Sequence, residues 1–129
     1  MAPQRDVVLI VDDEPILRVI LRHTLEAADY TVLEAANGVE AFAILENAPQ
    51  RVSAVLSDIT MPRMDGLALV DRLEASHPTL PIILASGLHR RDTIPPSTAN
   101  RIRGFLEKPY SRSTVLAVVA TVVSGGVAA

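Results

Sequence analysis

Three aliphatic runs constrain this chain more than any other feature: Val7-Val8-Leu9-Ile10-Val11, Ser53-Ala54-Val55-Leu56-Ser57 and Ile82-Ile83-Leu84-Ala85. None alternates apolar with polar residues, so each needs cover on both faces, the setting of a strand inside a parallel sheet. Parallel strands must be joined by crossovers, and the segments between these runs carry helical spacing. Pro15 suits the first turn of a helix, after which Leu17, Ile20, Leu21, Thr24, Leu25 and Ala28 recur on one face. Arg18, Arg22 and Glu26 share the opposite face. A short strand over 31–35 follows, then a helix from Val39 to Asn47, ended before Pro49. A third helix runs from Gly66 to Ser76, stopped by Pro78. Gly104 precedes a strand at Phe105 to Glu107, and Ser111 caps a last helix to about Ser124. The alternation predicts an α/β fold: a doubly wound, five-stranded parallel sheet flanked by helices, in one domain over residues 1–129.

The fourth helix is expected to be short or irregular. Pro95-Pro96 interrupts the segment from Leu88 to Arg103. A proline inside a helix costs about 3 kcal/mol and pushes the preceding residue, here Ile94, away from helical geometry. A loop and then a short helix from about Pro96 to Arg101 are the expectation.

Composition narrows the function. With 49% hydrophobic residues but only 3% aromatic ones, the core must be aliphatic. The absence of cysteine rules out disulfides and cysteine-held zinc and fits a cytoplasmic protein. A net charge of -3 argues against nucleic acid as the main partner. No stretch reads as a signal peptide or a membrane span. Met1 and the Gly-Gly-Val-Ala-Ala end give the expectation of a natural, stand-alone chain.

In a parallel α/β sheet, the loops at the carboxyl ends of the strands form one rim, where ligands bind. Asp12-Asp13, Asp58, Ser86-Gly87 and Lys108-Pro109 each follow a different predicted strand. Singly, each has an ordinary reading: a helix cap, a turn aspartate, a common turn dipeptide, a surface lysine. Together they put three carboxylates, a hydroxyl and an ammonium on one rim. Such carboxylates repel unless a cation joins them, and an all-oxygen set suits Mg²⁺, which keeps several waters and accepts phosphate oxygens.

Val11-Asp12-Asp13-Glu14-Pro15, Asp58-Ile59-Thr60-Met61-Pro62-Arg63-Met64-Asp65-Gly66, Ser86-Gly87 and Lys108-Pro109-Tyr110 resemble, in order and spacing, the receiver domain of two-component response regulators. The resemblance covers essentially the whole chain and implies a flavodoxin-like, CheY-like (βα)5 fold. It implies that Asp58 accepts a phosphoryl group from a sensor histidine kinase or phosphotransfer protein. Asp13, Asp12 partly through water, Asp58 and the backbone carbonyl of Thr60 would hold Mg²⁺. Lys108 would pair with the phosphoryl group, Ser86 would hydrogen-bond it, and Ser86 with Phe105 would form the switch. Such a domain catalyses only its own phosphorylation and dephosphorylation. It signals by contact with an unknown downstream protein, relays phosphate, or drains it. Thr60 and Leu88 fall at the two variable positions that tune phosphoryl lifetime. Phe105 lacks a phenolic hydroxyl, so a switch there works by packing.

A receiver-shaped binding module without phosphorylation is disfavoured, because every site position is filled. A flavodoxin-like enzyme would want Gly, Ser or Thr after the first strand, where this chain has Asp12-Asp13-Glu14. A phosphatase of the same fold class would want Asp-x-Asp there. Neither G-x-G-x-x-G nor a Walker motif occurs. Arg90, Arg91, Arg101 and Arg103 read as a solvated face, and His23, His77 and His89 as unconnected to metal or chemistry. Substituting Lys108 is expected to shift stability by no more than about 0.5 kcal/mol. Val115, Val118, Val119 and Val122, widened by Leu116 and Val123, form a stripe too apolar for core packing alone. That stripe and residues 88–103 are the expected output surface, with a homodimer through the last helix as one use.

Overall fold

The computed structural model describes residues 5–47 and 51–128. Its elements run β1 (Val7–Val11), α1 (Pro15–Glu26), β2 (Thr31–Ala35), α2 (Gly38–Asn47), β3 (Ala54–Asp58), α3 (Gly66–Ser76), β4 (Ile82–Ser86), a 3₁₀ turn (Arg91–Thr93), α4 (Pro96–Arg101), β5 (Gly104–Glu107) and α5 (Arg112–Val123). Pro49, the expected stop of α2, lies outside the described residues. The five strands form one parallel sheet in the order β2-β1-β3-β4-β5. Chain connections leave β1 in opposite directions along the sheet, which puts the topological switch point between β1 and β3.

Successive residues of each strand face opposite layers, which is why the aliphatic runs do not alternate. Leu9, Val11, Val55, Ile82 and Leu84 pack under α2, α3 and α4, against Ala41, Leu69, Leu73 and Ile102. Val8, Ile10, Leu56, Ile83 and Leu106 pack under α1 and α5, against Leu21, Leu25, Val115, Val119 and Val122. The central strands β1, β3 and β4 are buried throughout.

Two sequence expectations fail on α1 and α5. On α1 the sheet takes Leu21, Thr24 and Leu25, whereas Ile20 points outward and joins Ile16 and Val19 as an exposed apolar patch. On α5 the valines are spent on the core: Val115, Val119 and Val122 are buried, and Leu116, Val118 and Val123 pack against the same cluster. The outward face of α5 carries Thr114, Ala117, Ala120 and Thr121 instead, so Val115, Val119 and Val122 are not exposed for docking.

The segment between β4 and β5 has the expected form. Pro96 opens α4 at its first turn, where a missing N–H leaves no bond unmade. Ile94, Thr98 and Ile102 are its buried anchors. Arg101 fastens the helix to the α3–β4 connection by donating to the carbonyls of His77 (3.0 Å) and Leu80 (2.9 Å) and pairing with Glu74. Arg91 donates to the carbonyl of Ala128. Arg91 and Arg101 are therefore tied into the fold, while Arg90 stays exposed.

Candidate functional site

The loop after β3 answers why Asp58 is followed by Met-Pro-Arg-Met-Asp-Gly. Asp58 is the last residue of β3, one residue further than the sequence placed the strand, because Ile59 N–H still donates to the Ala85 carbonyl at 3.0 Å. Ile59 and Met61 then turn into the core. Gly66 N–H closes the loop on the Ile59 carbonyl at 2.8 Å, and Asp65 caps α3 by accepting from Ala68 N–H at 2.9 Å. Gly66 lies so close to the loop that a Cβ there would stand 2.5 Å from the Asp58 carbonyl oxygen. On the other side, Gly38 N–H donates to the Met64 carbonyl at 2.9 Å, and a Cβ at Gly38 would lie 2.7 Å from Met64 atoms. Two glycines thus let α2 and α3 grip the loop, and the Asp58 backbone is fixed from both ends.

Around Asp58 the rim converges. One carboxylate oxygen each from Asp12, Asp13 and Asp58 lies within 4.8 Å of the others. Asp12 and Asp58 are buried and Asp13 is exposed, so the cluster opens to solvent on one side. Lys108 reaches in from the end of β5, with Nζ 3.1 Å from Asp58 Oδ2 and 3.8 Å from Asp12 Oδ2. Asp12 Oδ1 also accepts from Glu14 N–H at 2.9 Å. Burial raises the Asp12 pKa above the ordinary carboxylate value; the Glu14 N–H and Lys108 oppose the rise, and Asp58 and Asp13 add to it. One ammonium against three carboxylates leaves an excess of negative charge in a partly dry rim. Oxygen donors, two of them held by strand ends, fit a hard divalent cation that retains water on the exposed side.

Ser86 is the last residue of β4 and almost fully buried; its carbonyl accepts from Lys108 N–H at 2.9 Å, which ties β4 and β5 together at the rim. The Lys108–Pro109 peptide is cis. Thr60 lies on the exposed lip two residues past Asp58. Phe105, by contrast, sits at the start of β5, half-buried against the cluster under α2–α4, away from the carboxylates. Leu88 is exposed at the mouth of the β4 loop.

Sequence reasoning gave no role to two residues of the rim. Tyr110 is half-buried, and its phenol is pushed up to about 12 by burial first, then by Asp12 and Asp58. Its place directly after Lys108-Pro109 was the available signal. His89 lies with its Nδ1 3.2 Å from Ser86 Oγ, a contact that no spacing rule foretells.

Lys108 is not a free surface lysine. Its ammonium is the close partner of a carboxylate that is only 8% exposed, so removing it strands a buried charge rather than relieving a surface one.

Comparison with known proteins agrees with this architecture. The family model described as response regulator receiver domain matches residues 8–120. The chain is 40% identical over 104 residues to the sensor kinase CckA of Brucella abortus, covering 81% of this chain and 11% of that protein. It spans from about a tenth to under half the length of the curated relatives it matches. Among solved structures, the chemotaxis response regulator CheY4 of Vibrio cholerae superposes with a TM-score of 0.83 at 30% identity, covering 92% of this chain and 99% of that one. TrrA of Thermotoga maritima, solved in complex with Mg²⁺-BeF, gives 0.80 at 24% identity, covering 91% and 98%. A fold wound around the β1–β3 switch point, with its acidic rim filled at every position, thus agrees with independent sequence and structural likeness: the chain belongs to the receiver domain family of two-component response regulators.

Proposed function

We propose that Asp58 is a phosphoacceptor, charged by a sensor histidine kinase or phosphotransfer protein in an Mg²⁺-dependent reaction, and that the domain then signals by protein contact. One observation carries this reading: Lys108 Nζ stands 3.1 Å from a strand-end carboxylate that two neighbouring aspartates crowd. Asp58 Oδ attacks phosphorus as the phosphorus–nitrogen bond of the donor phosphohistidine breaks and its electron pair leaves with the imidazole. Little covalent work falls to the protein in such a transfer, so holding Asp58 still and balancing charge are the main contributions. The grip of Gly38 and Gly66 supplies the first. Lys108 supplies part of the second by moving from the carboxylate toward the incoming oxygens.

Asp12, Asp13 and Asp58, with the Thr60 carbonyl, would hold the metal; bound there, Mg²⁺ neutralises charge on the phosphoryl oxygens. The Mg²⁺-BeF complex of TrrA supports the metal half of this reading. Ser86 donates its hydroxyl to a phosphoryl oxygen, and Phe105 repacks beneath the same layer. The segment 88–103 then carries the change to a partner. A cytoplasmic site accords with the lack of cysteine, and among the described residues no helix is long and apolar enough to cross a membrane. Relay or drainage of phosphate uses the same chemistry with a different recipient.

A small phosphodonor tests the proposal. The chain should gain one phosphoryl group with Mg²⁺ and none with chelator, and Asp13→Asn should lose the metal-dependent labelling while keeping its fold. Equal labelling with chelator, or an unaffected Asp13→Asn, would contradict it.

A further inference from the structure

The hydroxyl of Ser86 is already engaged. Its oxygen accepts from His89 N–H at 2.8 Å and from Leu88 N–H at 3.1 Å, and lies 3.2 Å from His89 Nδ1. A serine hydroxyl has two acceptor lone pairs and a single proton to donate. The two backbone N–H groups occupy the acceptor side. What remains for the imidazole is the proton, which Ser86 donates to His89 Nδ1 when the ring carries its own hydrogen on Nε2. Ser86 is only 2% exposed, so water does not compete freely for that bond.

A phosphoryl oxygen on Asp58 would need the same proton. There is one donor and two claimants. We propose that His89 is a positioning residue: it holds the Ser86 proton in the resting state and must surrender it when a phosphoryl group arrives. The anionic oxygen is the stronger acceptor, so the transfer is favourable, but the bond to His89 is lost in making it. His89 therefore sets the threshold for switching without touching the phosphoryl group. The Leu88 and His89 amides bind the same oxygen, so a shift of Ser86 pulls directly on the chain entering the 3₁₀ turn and α4. This inference rests on the reading of Ser86 given above, and its test keeps the two apart.

The probe is beryllofluoride with Mg²⁺, titrated into the full chain and followed by fluorine NMR. His89→Phe keeps a ring but removes the acceptor, and His89→Ala removes both. Each should bind the mimic about two- to tenfold more tightly, the equivalent of one ordinary hydrogen bond no longer broken. His89→Asn, which can offer an amide oxygen near the Nδ1 position, should return affinity toward the original. Ser86→Ala should weaken binding, and in that background His89→Phe should change nothing further. The inference is overturned if Ser86→Ala weakens binding but His89→Phe and His89→Ala do not tighten it. It is also overturned if their gain persists without the Ser86 hydroxyl. Failure of the unsubstituted chain to bind the mimic, or full affinity in Ser86→Ala, would instead refute the phosphoryl-site reading and this inference with it.

Discussion

Replacing Gly66 with alanine should damage the site through the backbone alone. The added Cβ would stand 2.5 Å from the Asp58 carbonyl oxygen and 2.8 Å from Ile59 Cα, both main-chain atoms that cannot rotate away. Restoring ordinary contact requires α3 and the phosphoacceptor loop to part by about 1 Å, and overpacking of this kind costs about 1–3 kcal/mol. Stiffening of the unfolded chain returns only about 0.4–1 kcal/mol. At mid-range values the net loss is about 1 kcal/mol, read as a fall in urea midpoint with little change in slope. The same displacement falls on the nucleophile itself, where a 1 Å error can cost about a hundredfold in rate. Labelling by a small phosphodonor should therefore slow by at least about tenfold. Gly87→Ala is the control: its Cβ would meet Lys108 Cβ at 3.6 Å, an ordinary contact, so stability should stay within about 0.5 kcal/mol. A Gly66→Ala protein as stable and as quickly labelled as the original would refute the grip on the loop.

Lys108→Ala should lower stability by about 1–2 kcal/mol without Mg²⁺, because it leaves the buried Asp58 carboxylate without its partner; added Mg²⁺ should recover part of this in a denaturant titration. Asp12→Asn should stabilise the metal-free protein at neutral pH. Burial raises the Asp12 pKa, so its protonated form adds stability at acid pH that is lost as pH rises through the folded-state value, and the advantage of the variant should vanish on acidification. The phenol of Tyr110, followed by ultraviolet absorbance, should ionise near pH 12, with stability falling as pH climbs from the ordinary tyrosine range toward that value. Ionisation near 10 would mean that Tyr110 is not packed against the rim.

The central strands were legible because burial on both faces leaves an unmixed aliphatic signature, and the turns because proline and glycine punctuate them. Strand ends were less so: β3 and β4 each run one residue further, since a backbone bond from Ile59 to Ala85, or from Lys108 to Ser86, carries no side-chain mark. Ile20 was misplaced because α1 is apolar on two faces, and spacing alone does not say which one meets the sheet. The valines of α5 misled for the opposite reason. Val118 and Val122 pack closely over Gly104 of the edge strand β5, so a small domain can absorb an almost uncharged helix. The acidic rim and Lys108 were readable from their places at strand ends. The capture of Ser86 by His89 was not, because it depends on how three residues of loop fold back on one oxygen.

Peptide mapping of the protein after treatment with a small phosphodonor and Mg²⁺ bears most directly on the account. It predicts one labile phosphoryl group, on the peptide containing Asp58, and no label in Asp58→Asn with its fold intact. A stable label elsewhere, or an Asp58→Asn protein labelled as fast as the original, would contradict it.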